Sequence, residues 1–232
     1  MSNPQNAFVL HSRPYRENQL LVDLLTERDG KVSALVFVGQ SKRSIKKSML
    51  QPFFPVEVTL KDNRKIKVIT EIESRGKSLP LVKFSLYSAF YVNELIIRLL
   101  TEDISCLPLF EQYQLTITAL SQGQDIAPQL RNFELALLDE LGLSFDFNPI
   151  FEHTAKQFCY QAEQGFTPIS GLENSQNYFN SIHLKAIAQH IDNGVDLTLK
   201  EAENTFKLLM RQIINQLLGN KPLNSRKLFI NK

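Results

Sequence analysis

Along residues 7–78 the apolar positions fall into short runs separated by turn chemistry, and the runs read as strands. Ala7 to Leu10 is apolar, His11 to Asn18 is polar and reads as a loop, and Leu20 to Leu25 resumes as a strand. Thr26 to Lys31 reads as a hairpin connection, because Asp29-Gly30 supplies the positive φ that such a turn requires. Val32 to Val38 is the returning strand, and Gly39 ends it. Pro52 and Pro55 frame the start of Val56 to Leu60, Lys61 to Arg64 is a turn, and Ile66 to Ile72 is the next strand. About five short strands with no long helix between them fit a small closed barrel, of which the oligonucleotide-binding (OB) fold is a common kind. A small sandwich or an SH3-like barrel fits the same pattern.

From Ser78 the period changes. Leu79-Pro80 reads as a junction, giving a barrel domain over 1–79 and a helical domain over 80–232. Helices are predicted over Phe84 to Leu100, about Pro108 to Leu120, and about Pro128 to Leu141, the last stopped by Gly142. Ser144 to Tyr178 is irregular, punctuated by Pro149, Gly165, Pro168 and Gly171. Two further helices are predicted, Ser181 to Asp192 and Thr198 to Leu218. The second opens on a capping box, Thr198 with Glu201.

The distribution of charge sharpens this division. Residues 1–78 hold 14 Lys+Arg against 8 Asp+Glu, residues 79–206 hold 6 against 16, and residues 207–232 hold 6 against none. A basic head, an acidic middle and a basic tail fit a chain whose ends meet a polyanion. The densest basic stretch is Gly39 to Lys47, with Lys42, Arg43, Lys46 and Lys47 and no acidic residue. Hung off a strand, such a loop can contact phosphates; a merely solvated loop is the competing reading.

Candidate chemistry is otherwise sparse. No apolar run approaches a membrane span, and the N-terminus lacks the order of a signal peptide, so a cytoplasmic protein is expected. Cys106 and Cys159 are far apart, form no C-x-x-C pair and read as free thiols, with no metal site and no cofactor expected. Phosphate-cradling glycine loops, His-Glu-x-x-His and Gly-x-Ser-x-Gly are all absent, and the acidic pairs lie in helical stretches as solvated faces. No catalytic residue is assigned. Binding is better supported, because Tyr15, Phe37, Phe53 and Phe54 are interleaved with Arg13, Arg16, Lys31, Lys42 and Arg43. Single strands are gripped by that mixture of cations and aromatic faces. Phe37 in mid-strand and Phe53 read as core; Tyr15, beside Pro14, is the better exposed candidate.

Several stretches together resemble the bacterial RecO family of recombination mediators across nearly the whole chain. They are Ala7-Phe8-Val9-Leu10-His11-Ser12-Arg13-Pro14-Tyr15-Arg16-Glu17-Asn18, Thr26 to Val32, the basic loop, and Leu50-Gln51-Pro52-Phe53. Leu86 to Leu95, Arg131 to Leu138 and Lys221-Pro222-Leu223-Asn224-Ser225-Arg226 continue the likeness. The resemblance implies an α+β chain, an N-terminal five-stranded OB-fold β-barrel followed by an α-helical domain. It implies binding of single- and double-stranded DNA, annealing of complementary strands, and partnership with RecR. It also implies docking of the acidic tail of single-stranded DNA-binding protein (SSB) and, indirectly, loading of RecA, without an enzymatic step, in a nucleoid-associated protein. Many relatives carry a four-cysteine zinc knuckle where this chain has residues 148–178 and only Cys159, so a zinc-free loop or small hairpin is expected there.

Carried onto this sequence, the resemblance places Arg13, Arg16, Lys42, Arg43, Lys46 and Lys47 in stretches that match the family's DNA-binding barrel; with Tyr15 and Lys31 from the interleaved cations and rings, they are the DNA-contact candidates. Arg131, with Lys207 and Arg211 four apart on one helix face, is the candidate basic rim for the SSB tail, with Phe133 and Leu137 near Arg131 in sequence. Two other functions stay open at this stage: an adaptor that works through proteins with weak DNA affinity, and a metal-dependent nuclease.

Overall fold

A computed structural model describes residues 3–39, 45–62, 66–161, 163–169, 178–197 and 199–229. Five strands close into a barrel: β1 (Gln5–Arg16), β2 (Gln19–Thr26), β3 (Gly30–Phe37), β4 (Pro55–Lys61) and β5 (Lys67–Ser74), with helix α1 (Ile45–Met49) between β3 and β4. The order around the barrel is β1-β2-β3-β5-β4, with β4 closing antiparallel on β1 and β3 meeting β5 in parallel. This is the OB-fold that the family resemblance implies, one of the small folds that the strand spacing allows. Alternation does the sorting. Val32, Ala34 and Val36 point inward beside Val22, Leu24, Val56 and Val58, and Met49 and Leu50 join the same core. At the hairpin predicted from Asp29-Gly30, Gly30 sits at φ +65°; a Cβ there would stand 1.8 Å from the Ile104 carbonyl oxygen, so only glycine fits.

Two strand expectations need correcting. The stretch His11 to Arg16 is not a loop but the second half of β1. Its backbone pairs with β2 through Arg13↔Leu21, Pro14↔Leu20 and Arg16↔Gln19, past two bulges. Its side chains are polar because that half of the ribbon is exposed, and polarity imitated a loop. Phe37 is not core: it ends β3 with 60 % of its surface exposed, whereas Phe53 is buried against Phe90 at 5.1 Å between ring centres.

Three helices, α2 (Lys83–Leu99), α3 (Leu107–Ser121) and α4 (Ile126–Glu140), pack with the barrel into one compact unit made of residues 1–141 and 222–232. Buried polar groups join the parts. Asn93 on α2 donates to the Leu10 carbonyl at 2.8 Å, and the Tyr113 hydroxyl on α3 donates to Asn93 Oδ1 at 2.8 Å. Phe8 of β1 packs on Phe110 and Tyr113 of α3, at 5.8 and 5.2 Å between centroids. Packing therefore divides the chain at residues 141/142 and 221/222, while the change of periodicity falls at 79/80.

The second unit is residues 142–221. It holds α5 (Asn148–Glu152), a three-stranded sheet of order β7-β6-β8 and two helices, α6 (Ser181–Asn193) and α7 (Lys200–Leu217). The strands are β6 (Gln157–Gln161), β7 (Gly165–Pro168) and β8 (Phe179–Asn180). Of the loop or small hairpin expected in this stretch, the structure has a hairpin, β6 with β7, built on an aromatic cluster in which Phe166 meets Phe145, Phe147 and Tyr160 within 4.9–5.9 Å. Helix α7 starts later than its capping box proposed: Leu199 is the N-cap and has no side-chain cap bond, and Thr198 lies outside the described residues.

Candidate nucleic-acid interface

Because Val32, Ala34 and Val36 face the barrel interior, Lys31, Ser33, Leu35 and Phe37 of β3 must face outward. Register then carries that outer face across β2 to β1 in four rungs: Arg16–Gln19–Phe37, Arg13–Leu21–Leu35, His11–Asp23–Ser33 and Phe8–Leu25–Lys31. The rungs differ in what covers them. At one end Arg13, Arg16 and Phe37 are exposed, with Leu21 and Leu35 half-buried between them. Tyr15, displaced by the second bulge, is 45 % exposed, and the Arg16 guanidinium lies 5.4 Å from its ring centre. Two guanidinium groups and two aromatic rings therefore share an open, curved surface. It is the face, formed around strands 2 and 3, on which OB-folds take oligonucleotides.

At the other end the same face is closed. Phe8 and Leu25 are covered, and Lys31 is spent on the protein: its ammonium donates to the Ile97 carbonyl in the last turn of α2 at 3.1 Å. The backbone of Lys31 also accepts from Asp103 N, and Lys67 pairs with Asp103 at 2.7 Å. Burial alone would lower the Lys67 pKa, but the hydrogen bond to Asp103 and the charges of Asp29 and Asp103 outweigh it and raise it. The middle rung is polar and self-satisfied, with Ser33 Oγ 2.7 Å from Asp23 and 2.8 Å from Glu102.

The basic loop divides. Lys42 and Arg43 lie outside the described residues, while Lys46 is exposed and Lys47 half-buried on α1, whose Met49 belongs to the barrel core. Gly39 has φ +68°, as the end of β3 requires. Arg131 on α4 is committed within the fold. It pairs with the buried carboxylate of Glu134 at 2.5 Å, and the Tyr91 hydroxyl donates to that carboxylate at 2.5 Å. Burial raises the Glu134 pKa, against the pull of Arg131. Phe133 and Leu137 are fully buried, so neither lines an open groove beside Arg131. Lys207 and Arg211 are both exposed on α7, in the second unit.

Sequence reasoning misplaced Phe37. A signal was present for Phe37: it shares the odd-numbered parity of Lys31 and Ser33, opposite to Val32, Ala34 and Val36. Among the described residues no group of three or more His, Cys, Asp or Glu side chains is placed to hold a metal ion. Among them, too, no helix is long and apolar enough to cross a membrane.

Comparison with known proteins covers both halves. A family model described as Recombination protein O N terminal matches residues 1–76, and one described as Recombination protein O C terminal matches residues 84–158. A DNA repair protein RecO from Cellvibrio japonicus is 35% identical over 232 residues, covering 97% of this chain and 95% of that protein. One from Klebsiella pneumoniae subsp. pneumoniae is 39% identical over 237 residues, covering 99% and 93%, and one from Psychromonas ingrahamii is 34% identical over 232 residues, covering 98% and 97%.

Proposed function

The chain belongs to the RecO family of DNA repair proteins, and from that premise we propose that it works without catalysis, binding single- and double-stranded DNA and annealing complementary strands. With RecR it helps RecA onto strands coated by SSB, in the cytoplasm and near the nucleoid. The observation that carries this reading is the open end of the barrel face, where Arg13, Arg16, Tyr15 and Phe37 are exposed together. Guanidinium groups neutralise successive phosphates while the rings offer faces on which bases stack, so no cofactor is needed. Lys46 and Lys47 on α1, and Lys42 and Arg43 just before it in the sequence, are further candidate phosphate contacts. The pair Lys207 and Arg211 suits the carboxylate-rich SSB tail.

The test is equilibrium binding of a labelled oligothymidine across a salt series. Replacing both Arg13 and Arg16 by Ala should flatten the slope of log K against log salt by about 0.7 for each lost phosphate contact on a single strand. An unchanged slope with folded protein would remove the open end from the DNA site. For the SSB tail, Lys207→Ala with Arg211→Ala should weaken binding of a labelled tail peptide; equal affinity rules that pair out.

A further inference from the structure

Away from the barrel face, the start of α2 meets the 3-10 helix Ser225–Phe229. The Phe84 and Phe229 rings stack at 6.2 Å with 12° between their planes, and Tyr87 packs edge-on to Phe229 at 5.5 Å. Yet the pair is not sealed: Phe84 keeps 42 % and Phe229 40 % of its surface exposed, and Lys83 and Lys227 beside them are exposed as well. Neither residues 75–93 nor 207–229 contain an acidic residue. The carboxylates that these two segments do meet are already engaged. Glu94 accepts from the backbone N–H groups of Asn224 and Ser225, and Glu134 is paired with Arg131.

We propose that Lys83, Phe84, Tyr87, Lys227 and Phe229 form a second binding site for single-stranded nucleic acid. Flat rings exposed beside cations, in two segments that contain no acidic residue, make a stacking platform with phosphate contacts at its edge. Partly exposed rings beside cations suit a base, which stacks on an aromatic face while its phosphate meets the cation. Two such sites on one chain let it hold two strands at once. That last consequence rests on the annealing function proposed above; the site itself does not.

The test counts short oligothymidines bound per chain at saturation, using the full chain. The double variant Lys83→Glu, Lys227→Glu and, separately, Phe84→Ala should each bind one oligonucleotide fewer than the wild type. Wild-type protein crosslinked to an iododeoxyuridine oligonucleotide should yield adducts at residues 83–87 or 225–229. An unchanged count in both variants, with no adduct in either segment, overturns the proposal. So does a count that stays unchanged while a labelled acidic peptide ending in Phe loses affinity, which would make this a peptide site. The variant Arg13→Ala, Arg16→Ala, Phe37→Ala separates the two readings: if it keeps the wild-type count, the barrel site fails and this site stands.

Discussion

The two ends of the barrel's outer face use the same strands and the same parity, and they end up with opposite fates. Arg16 and Phe37 stand exposed on either side of a half-buried Gln19 in one rung, while in the other Phe8 and Leu25 are buried and Lys31 is half-buried. A cation at the open end is available to solvent and phosphate; the cation at the closed end caps a helix. An aromatic ring at the open end offers its face; at the closed end Phe8 is packed by Phe110 and Tyr113. Outward direction, then, does not decide function. What decides it is where α2 and α3 lie on the barrel, and that is a long-range outcome that no local pattern encodes.

The contrast can be broken most forcefully at the closed end. Phe8→Ala should cost about 3–5 kcal/mol of stability through the lost burial and the cavity left behind, and thermal or urea unfolding will measure it. A loss below about 1 kcal/mol would mean that the helices do not seal that rung. Phe37→Ala should reverse the pattern. Stability should stay within about 0.5 kcal/mol of wild type, while affinity for a single strand falls by about 1–3 kcal/mol through the lost stacking. Unfolding and anisotropy on the same preparation test both halves.

A subtler probe is acid. Glu94 holds the 3-10 helix against α2. Burial alone would raise its pKa, but hydrogen bonds from Ser225, Asn224 and Arg98 outweigh burial and hold it below the ordinary carboxylate value. A depressed folded-state pKa stabilises the fold above the unfolded value and loses that contribution as pH falls through the folded one. Glu94→Gln should therefore cost about 1 kcal/mol at neutral pH, a hydrogen bond to charge discounted for partial exposure, and the gap should close on acidification below about pH 4. A gap independent of pH would assign the loss to packing. The smallest effect is expected at Lys31: Lys31→Ala should leave the salt dependence of DNA binding unchanged, because its ammonium is bound to Ile97. A flattened slope would reopen the closed end as a DNA surface.

Much of the fold was legible because the barrel is built from local signals. Asp29-Gly30 marked the hairpin, Gly142 the end of α4, and the aliphatic alternation of β3 its inner face. His11 to Arg16 was lost to polarity, since an exposed strand and a loop share a composition and only the partner strand distinguishes them. The site was half legible. Tyr15 is exposed as expected and Arg13 and Arg16 are exposed with it, whereas Phe37 reads as core in sequence because a single aromatic in an apolar run outweighs its parity. Lys31 and Arg131 looked alike in sequence to cations that bind ligands. Their carbonyl and carboxylate partners, Ile97 and Glu134, appear only when helices assemble.

Helix α2 receives its last partner late. The segment 222–229, which supplies the Asn224 and Ser225 N–H groups to Glu94 and the Phe229 ring to Phe84, follows the whole second unit in the chain. On the ribosome the barrel and its three helices are synthesised first, and residues 142–221 emerge before the piece that completes them. Translation thus delays closure of the first unit until the second has been made, and a message cut short within 142–221 yields a barrel-bearing fragment whose Glu94 is left without its clasp.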